Sequence, residues 1–353
     1  MTGPHRSWSV LAPFPAALQL GELSHSPLGT LGPVDVDRNR LLQLIGDHDW
    51  PAIGWPELLD RLVSLGRTDI PFARLAEGHI DALRIIRQAG RQPVADALYG
   101  VWASRSRGGG LSATPGADIV QLSGSIPFAS GAGLLDRALV TAAVPPAAAG
   151  GSAEQVSVQL LLDVDVGDWA PDLDSWPAAA MTASRSFTVR LDNRSVPANC
   201  QVGPAGFYLD RPQFFPGGIG VAAVWVGAAA RVADLLCRFT DSSPHPPDQV
   251  TRTHWGRVRI ELAGTHAQLR HGGQLLAAGV ESEWDSPTLQ QLATEVRSGV
   301  GAAVRRVLEL ARTVAGPAGL AHDGALGAAI ADLDLYVRQQ PSDRDAEFLA
   351  DHG

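Results

Sequence analysis

Apolar residues recur with helical spacing in the first stretch of the chain, up to about residue 98. In the segment WPELLDRLVSLGR, one stripe is formed by Leu58, Leu59, Leu62, Val63 and Leu65. The segment IPFARLAEGHIDALRIIRQAG repeats the pattern and reaches a stop signal at Gly90. The first stretch therefore predicts an N-terminal helical domain over residues 1–98.

The pattern shortens over residues 99–212, where apolar runs alternate with Gly, Pro, Asp and Ser. The runs are GVWAS, DIVQL, ALVTAAV, VSVQLLLDV, FTVRL and GFYLD. Several short runs at this spacing are typical of strands joined by turns. We therefore expect a central antiparallel β domain, either a barrel or a sandwich.

Helical spacing returns over residues 213–353 in four long segments. The first, GVAAVWVGAAARVADLLCRF, is apolar and rich in Ala and Gly, as in a helix that packs closely against its neighbours. The prediction is an α+β protein that ends in a four-helix bundle. Gly218, Gly220 and Ala223 match the dinucleotide pattern G-x-G-x-x-A, but no strand precedes them, so close helix packing explains them better.

The segment LSGSIPFASGAGLLDRALVTA places one ring, Phe128, before five small residues at 129–133, between two apolar runs. It can be a tight hairpin with Phe128 as a plug in the core. It can also be the wall of a planar aromatic cofactor, because small side chains let backbone N–H groups approach a ligand closely. On that interpretation Ala129, Ser130 and Gly131 offer three N–H donors and one hydroxyl. The residues alone leave both interpretations open.

Charge and composition narrow the class of protein. The chain has 28 basic and 37 acidic residues, a net charge of −9, which argues against nucleic acid as a partner. The sequence contains no Lys, so an anion site would use Arg, His or backbone N–H groups. Cys200 and Cys237 lack the CxxC spacing of a metal or redox site. We therefore expect no metal site. We also expect no signal peptide and no membrane span, since no apolar run reaches the ~20 residues that a span needs, and so a cytoplasmic location.

His79 is a second candidate polar position, in the middle of EGHIDAL. Two interpretations are open: a buried side chain satisfied by a backbone group, or a residue that lines a cavity between the helical and β domains. The other histidines do not cluster at metal-binding spacing.

Four segments, in order between residues 58 and 345, resemble the acyl-CoA dehydrogenase superfamily. They are LAEGHIDALRII, LSGSIPFASGAGLLDRALVTA, MTASRSFTVRLDNRSVP and GPAGLAHDGALGAAIADLDLYVRQ. The resemblance implies FAD held between the β domain and the bundle, an acyl thioester of CoA or of a carrier protein as substrate, and a homo- or hetero-oligomer with a homologue.

The resemblance also implies which residues contact the flavin. In the superfamily an aromatic residue and the Ser or Thr two positions later lie beside the ring, and a strand before them faces its pyrimidine side. A polar loop follows that strand, where Ser104 or Ser106 would stand in. The implied cofactor residues are Trp102, Ser104, Phe128, Ala129 and Ser130. Arg252 and Arg257 are weaker candidates for a cofactor contact from the bundle.

The sequence departs from the superfamily at the catalytic base. Dehydrogenases use a Glu in a YEGT-like motif, where this chain has Val337 after Tyr336. The alternative position, in FFPGGIG, also lacks a carboxylate. Asp343 and Asp345 follow soon after Val337, but they are better explained as surface charges that cap a C-terminal turn than as the base. Removal of a proton next to a thioester needs a positioned base, so the catalytic residues stay unknown.

Three functions are therefore considered. The first is α,β-dehydrogenation of an acyl thioester with FAD. The second is a non-catalytic or half-site subunit that pairs with a complete homologue. The third is a flavin-dependent monooxygenase, since superfamily relatives with this activity carry a His in place of the Glu; His352 is the candidate, although it lies one residue from the end.

Overall fold

The protein is described by a computed structural model over residues 13–19, 28–104, 110–145 and 158–352. Three helices come first: α1 (Val34–Ile45), α2 (Trp55–Thr68) and α3 (Ile70–Gln88). The predicted apolar stripe of α2 is fully buried. After α3, Gly90 adopts the left-handed region with a φ of 71°, and its N–H donates to the carbonyl of Arg87, as expected for a glycine stop.

The middle of the chain forms one sheet, which confirms the α+β class. Its strands are β1 (Tyr99–Trp102), β2 (Gly110–Pro115), β3 (Ile119–Ala129), β4 (Arg137–Val144), β5 (Val158–Asp165), β6 (Pro171–Asp172) and β7 (Phe187–Pro197). Their order across the sheet is β1-β4-β2-β3-β7-β6, and β5 pairs with β4.

The expectation of a purely antiparallel domain is wrong for β4. Its first half pairs parallel with β1, in the register Tyr99 to Arg137, and its second half pairs parallel with β2. The remaining pairs are antiparallel. Alternation of apolar and polar residues fixes which face of a strand is buried, but it does not fix the direction of the partner strand.

Two other local predictions are corrected. GFYLD is a short helix, α4 (Phe207–Asp210), and not a strand. The strand β3 extends beyond the predicted run DIVQL and passes through Gly124 and Pro127, with register shifts against β7 near both residues. Gly124 has a φ of 127°, and a Cβ there would lie 2.3 Å from the carbonyl oxygen of Gly110, so only glycine fits this β-bulge.

The last stretch forms the predicted bundle, with one further helix at its end. Its members are α5 (Phe214–Asp241), α6 (Gln249–Glu281), α7 (Ser286–His322), α8 (Gly324–Val337) and α9 (Ser342–His352). Gly218, Gly220 and Ala223 lie inside α5, which excludes the dinucleotide turn. At Gly316 the backbone of α7 leaves helical geometry, just before Pro317, and the helix is kinked there.

Glycines bring α2 and α5 into direct backbone contact. A Cβ on Gly66 would lie 2.2 Å from the carbonyl oxygen of Val224, and one on Gly227 would lie 2.0 Å from that of Val63. Neither position has room for a side chain, so the two helices can approach this closely only with glycine on both sides.

One helix of the described residues is long and apolar enough to cross a membrane by length and composition. It is α5, with a mean hydropathy of 1.7 over its most apolar window. Of that window, 83% is buried inside the protein, as in the core helix of a bundle. Length and composition alone are weak evidence for a span, and the cytoplasmic location stays a prediction.

The chain divides into two compact units. The helical unit is built mainly of Ile53–Arg74 and Phe215–Gly353, and the sheet unit of Leu31–Ala52 and Leu75–Phe214. In the sheet unit, the second half of α3 packs on β1, β4 and β5. The shared core contains Ala82, Ile85, Ile86, Tyr99, Leu139, Leu161 and Val202. The division into three domains read from the sequence stays a prediction.

Candidate functional site

The end of β3 presents an aromatic ring to the outside of the sheet unit. Phe128 is 55% exposed, so it is not a core plug. Its φ is 57°, a left-handed conformation that is rare for a bulky residue and is often found at functional sites. The ring meets the indole of Trp176 edge to face, with 6.0 Å between the centroids. Phe128 and Trp176 together are called the aromatic wall below.

Small residues follow Phe128 because the chain turns tightly against a second segment. The N–H of Gly131 donates to the carbonyl of Ser184 (2.9 Å), and that of Ala132 donates to the carbonyl of Arg185 (3.2 Å). A Cβ on Gly131 would lie 2.7 Å from the side chain of Leu135. The small residues thus join the end of β3 to the segment before β7.

Two of the three predicted backbone donors are already used within the protein. Besides the bond from Gly131, the N–H of Ser130 donates to the carbonyl of Phe128 at 2.9 Å. The expectation that Ser130 and Gly131 offer free N–H groups to a ligand is therefore wrong. The hydroxyl of Ser130 also has a partner within the protein, the hydroxyl of Ser186.

Ser130 belongs to a cluster of hydroxyl groups that the sequence did not reveal. Its Oγ lies 2.8 Å from Oγ of Ser186, which lies 2.7 Å from Oγ of Ser184. The hydroxyl of Ser184 donates to the carbonyl of Met181 at 2.6 Å. The three serines are at most 8% exposed. They are called the serine chain below, and TASRS, with two serines two residues apart before a strand, was its only trace in the sequence.

The remaining predicted cofactor residues have different surroundings. Trp102 is buried, its indole N–H donates to the carbonyl of Ser130 (2.8 Å), and its ring packs on Trp169. Ala129 is fully buried, whereas Ser104 is exposed. Ser106 lies outside the described residues. Direct flavin contacts of these residues stay predictions, and Trp102 fixes the backbone of Ser130.

Neither of the two positions where the superfamily carries its catalytic base has a carboxylate in this chain. These positions are Val337 and the segment FFPGGIG at the start of α5. Val337 is fully buried in α8, beside Tyr336. Asp343 is exposed in the first turn of α9, while Asp345 accepts hydrogen bonds from Gln340 (2.9 Å) and Ser298 (3.3 Å). The carboxylate of Asp345 is thus held in a local network.

Three further candidates are also placed. Arg252 and Arg257 are exposed on α6. His352 stacks on Phe348, and its Nδ1 lies 2.9 Å from the Phe348 carbonyl. Within the described residues, no group of three or more His, Cys, Asp or Glu side chains could hold a metal ion.

His79 is satisfied by a backbone group, which confirms the first of its two interpretations. Its Nδ1 accepts the N–H of Tyr99 at 3.1 Å, inside the sheet unit. Burial lowers the pKa of His79 to about 4, because the charged ring would lose its hydration. At neutral pH this ring is therefore uncharged.

Comparison with solved structures identifies the fold. The crystal structure of the dibenzothiophene monooxygenase TdsC from Paenibacillus sp. A11-2 matches with a TM-score of 0.75 at 17% identity, covering 91% of this chain and 90% of TdsC. The methanesulfinate monooxygenase MsuC from Pseudomonas fluorescens matches with a TM-score of 0.70 at 17% identity, covering 90% of this chain and 88% of MsuC. The chain has the acyl-CoA dehydrogenase fold.

Bound flavins occur among the structures that share this acyl-CoA dehydrogenase fold. TdsC has been solved with FMN. XiaF from Streptomyces sp., solved with FADH2 and glycerol, matches with a TM-score of 0.71 at 16% identity, covering 90% of this chain and 87% of XiaF. No protein-family model matches the sequence, and a search of curated proteins found no match. The resemblance read from four sequence segments is thus confirmed at the level of the fold.

Proposed function

We propose that the protein is a flavin-dependent monooxygenase acting on a small organic substrate. The observation that carries the proposal is the exposed ring of Phe128 beside the hydroxyl of Ser130, in a chain that lacks the superfamily's Glu at Val337. TdsC and MsuC, which share the fold, are named as monooxygenases, and this supports oxygenation over dehydrogenation.

The residues at the aromatic wall fit a flavin ring. A flat ligand needs exposed apolar surface, and Phe128 and Trp176 supply it at the edge of the sheet. The edge of a flavin ring is polar, and the hydroxyl of Ser130, two residues after Phe128 in the chain, is the group that we propose for it. We propose Phe128, Ala129 and Ser130 as flavin contacts. Both FMN and FAD are candidates, since TdsC was solved with FMN and XiaF with FADH2.

The absence of the superfamily's Glu favours oxygenation over dehydrogenation. Dehydrogenation of an acyl thioester removes a proton from carbon, which needs a positioned base, and Val337 cannot act as one. Oxygenation needs no such base: substrate, O₂ and dihydroflavin give oxygenated substrate, water and oxidised flavin. A bound reduced flavin supplies the two electrons that this balance requires. The residues of this chain then bind the ring, orient it and exclude water.

The other two functions make different predictions. Dehydrogenation requires FAD to be reduced by an acyl thioester of CoA or of a carrier protein. A non-catalytic subunit would gain activity only with a homologue that carries the Glu. Assembly into a homo- or hetero-oligomer remains a prediction of the superfamily resemblance under each of the three functions.

The test begins with the purified protein incubated with FMN or FAD and passed over a gel-filtration column. We expect flavin absorbance to elute with the protein. The anaerobically reduced complex is then mixed with O₂ and indole or dibenzothiophene, the compounds named with TdsC, and products are identified by mass spectrometry. Reduction of bound FAD by an acyl-CoA, without oxygenated product, would overturn the proposal.

A matched pair of variants ties binding to the aromatic wall. Phe128→Ala removes an exposed ring at one end of β3, and Ile119→Ala removes an exposed apolar side chain, 44% exposed, at the other end. An aromatic contact contributes about 0.5–1.5 kcal/mol, so Phe128→Ala should weaken flavin binding about two- to tenfold. Ile119→Ala should leave it unchanged. Equal effects of the two variants would place the flavin elsewhere.

A further inference from the structure

The serine chain ends at a carbonyl and contains more hydrogen-bond acceptors than protons. This decides which way each hydroxyl donates its proton. A hydroxyl carries one proton and two lone pairs. The carbonyl of Met181 can only accept, so the proton of Ser184 lies in the 2.6 Å contact with that carbonyl. Ser184 therefore has no proton left for Ser186 and accepts the proton of Ser186 across 2.7 Å.

The same count applies to the next link. With its proton committed to Ser184, Ser186 can only accept from Ser130, across 2.8 Å. The proton of Ser130 therefore points into the protein, toward Ser186. What the hydroxyl of Ser130 retains is a lone pair, so toward any further partner Ser130 is an acceptor and not a donor.

The opposite direction costs a hydrogen bond. If Ser184 turned its proton to Ser186, the Met181 carbonyl would keep the N–H of Ser184 at 2.9 Å, but its 2.6 Å contact with the Ser184 oxygen would contain no proton and would be repulsive. The three serines are buried, and Ser184 is fully enclosed, so water cannot replace the hydrogen bond from the Ser184 hydroxyl. The backbone is held as well, because Trp102 donates to the carbonyl of Ser130.

We propose that Ser184 and Ser186 are positioning residues that hold Ser130 as a hydrogen-bond acceptor and so make the site prefer reduced over oxidised flavin. The inference rests on the proposed function. The central nitrogen N5 of an oxidised flavin presents only a lone pair, whereas the reduced flavin carries a proton there. A fixed acceptor beside the ring edge is matched by N5–H and opposed by a bare N5.

The experiment measures the affinities for oxidised FMN and for dithionite-reduced FMN under anaerobic conditions. The variants are Ser186→Ala, Ser184→Ala and Ser186→Thr, and the control is Ser112→Ala, an exposed serine on β2. We expect the unaltered protein to bind reduced FMN at least about tenfold more tightly, which for a two-electron couple raises the potential of the bound flavin by about 30 mV.

Each variant has a defined expected result. Ser186→Ala frees the proton of Ser130, so oxidised FMN should bind more tightly and the preference should fall about tenfold. In Ser184→Ala the proton of Ser186 turns to Ser130, and the preference should fall in the same direction. Ser186→Thr keeps the hydroxyl and should keep the preference, as should Ser112→Ala. Circular dichroism and thermal melting verify the fold of each variant.

The outcomes separate the two proposals. If neither FMN nor FAD, oxidised or reduced, binds the unaltered protein, the proposed function fails and the inference fails with it. If FMN binds but shows no redox preference, or if Ser186→Ala and Ser184→Ala both leave the preference unchanged, the serine chain does not select the redox state and the proposed function stands. A preference that is lost in both alanine variants and kept in Ser186→Thr supports the inference.

Discussion

Arg185 makes two hydrogen bonds to a single oxygen of Asp37, although 148 residues separate them. Its Nε lies 3.1 Å and its Nη2 lies 2.8 Å from Oδ2 of Asp37. The two side chains are only 7% and 3% exposed. Nη2 also donates to the carbonyl of Gly32 at 2.6 Å. Since Arg185 stands between Ser184 and Ser186, this ion pair anchors the serine chain to α1.

Asp37→Asn should destabilise the protein strongly, because it leaves the buried guanidinium of Arg185 without its counter-charge. Removal of one partner of a buried pair costs about 3–5 kcal/mol. The control is Asp172→Asn, which breaks the exposed 3.5 Å pair with Arg190 and should cost less than about 1 kcal/mol. Urea unfolding measures both losses. Equal losses in the two variants would show that the Arg185 pair is not a buried anchor.

His79 should make stability depend on pH in a defined window. Its pKa is about 4 in the folded protein and about 6.5 when unfolded, so between these values the unfolded state binds more protons. The contribution is complete above pH 6.5 and is lost as the pH falls toward 4. A shift of this size corresponds to about 3 kcal/mol.

Unfolding free energies at pH 7.5, 5.5 and 4.5 test this dependence. His79→Asn keeps an acceptor for the Tyr99 N–H but does not titrate in this range. We expect the variant to lose some stability at pH 7.5 through reduced packing, and to show a smaller further loss on acidification. An identical pH dependence in the variant would assign the effect to other groups.

The glycine contact between α2 and α5 should not tolerate a methyl group. Gly227→Ala places a Cβ 2.0 Å from the Val63 carbonyl oxygen, so the helices must separate, at a cost of about 3 kcal/mol or more. Gly264→Ala is the matched control, since nothing lies within 4 Å of a Cβ at this helical position. There alanine should stabilise the helix by up to about 1 kcal/mol. Thermal melting that shifts both variants in the same direction would contradict this assignment.

The sequence predicted the helices well because their signal is local. The stripe of α2 and the glycine stop after α3 depend on residues less than twenty positions apart, and helical spacing records which face is buried. The sequence pattern predicted the strands less well. GLSATP was missed as β2 because it carries Gly, Ser and Pro, and β3 was cut short because Gly124 and Pro127 usually end strands.

The candidate site was predicted in part. Phe128 and Ser130 drew attention because one ring and several small residues on a turn need an explanation. The partners of Ser130 could not be found in this way, because Ser184 and Ser186 lie more than fifty residues further along the chain. The direction of the serine chain depends on a carbonyl, that of Met181, and backbone carbonyls leave no mark in a sequence.

The strand β4 pairs with β1 along its first half and with β2 along its second half, and this has a consequence for folding during synthesis. During synthesis β1 and β2 leave the ribosome before the strand that they share as a parallel partner, and β3 waits more than fifty residues for β7. Among the described strands, the neighbouring pairs β2–β3 and β4–β5 can form early on the nascent chain. Until β7 emerges, an edge of β3 stays open to strands of other chains, so the yield of folded protein in the cell should depend on translation speed and chaperones.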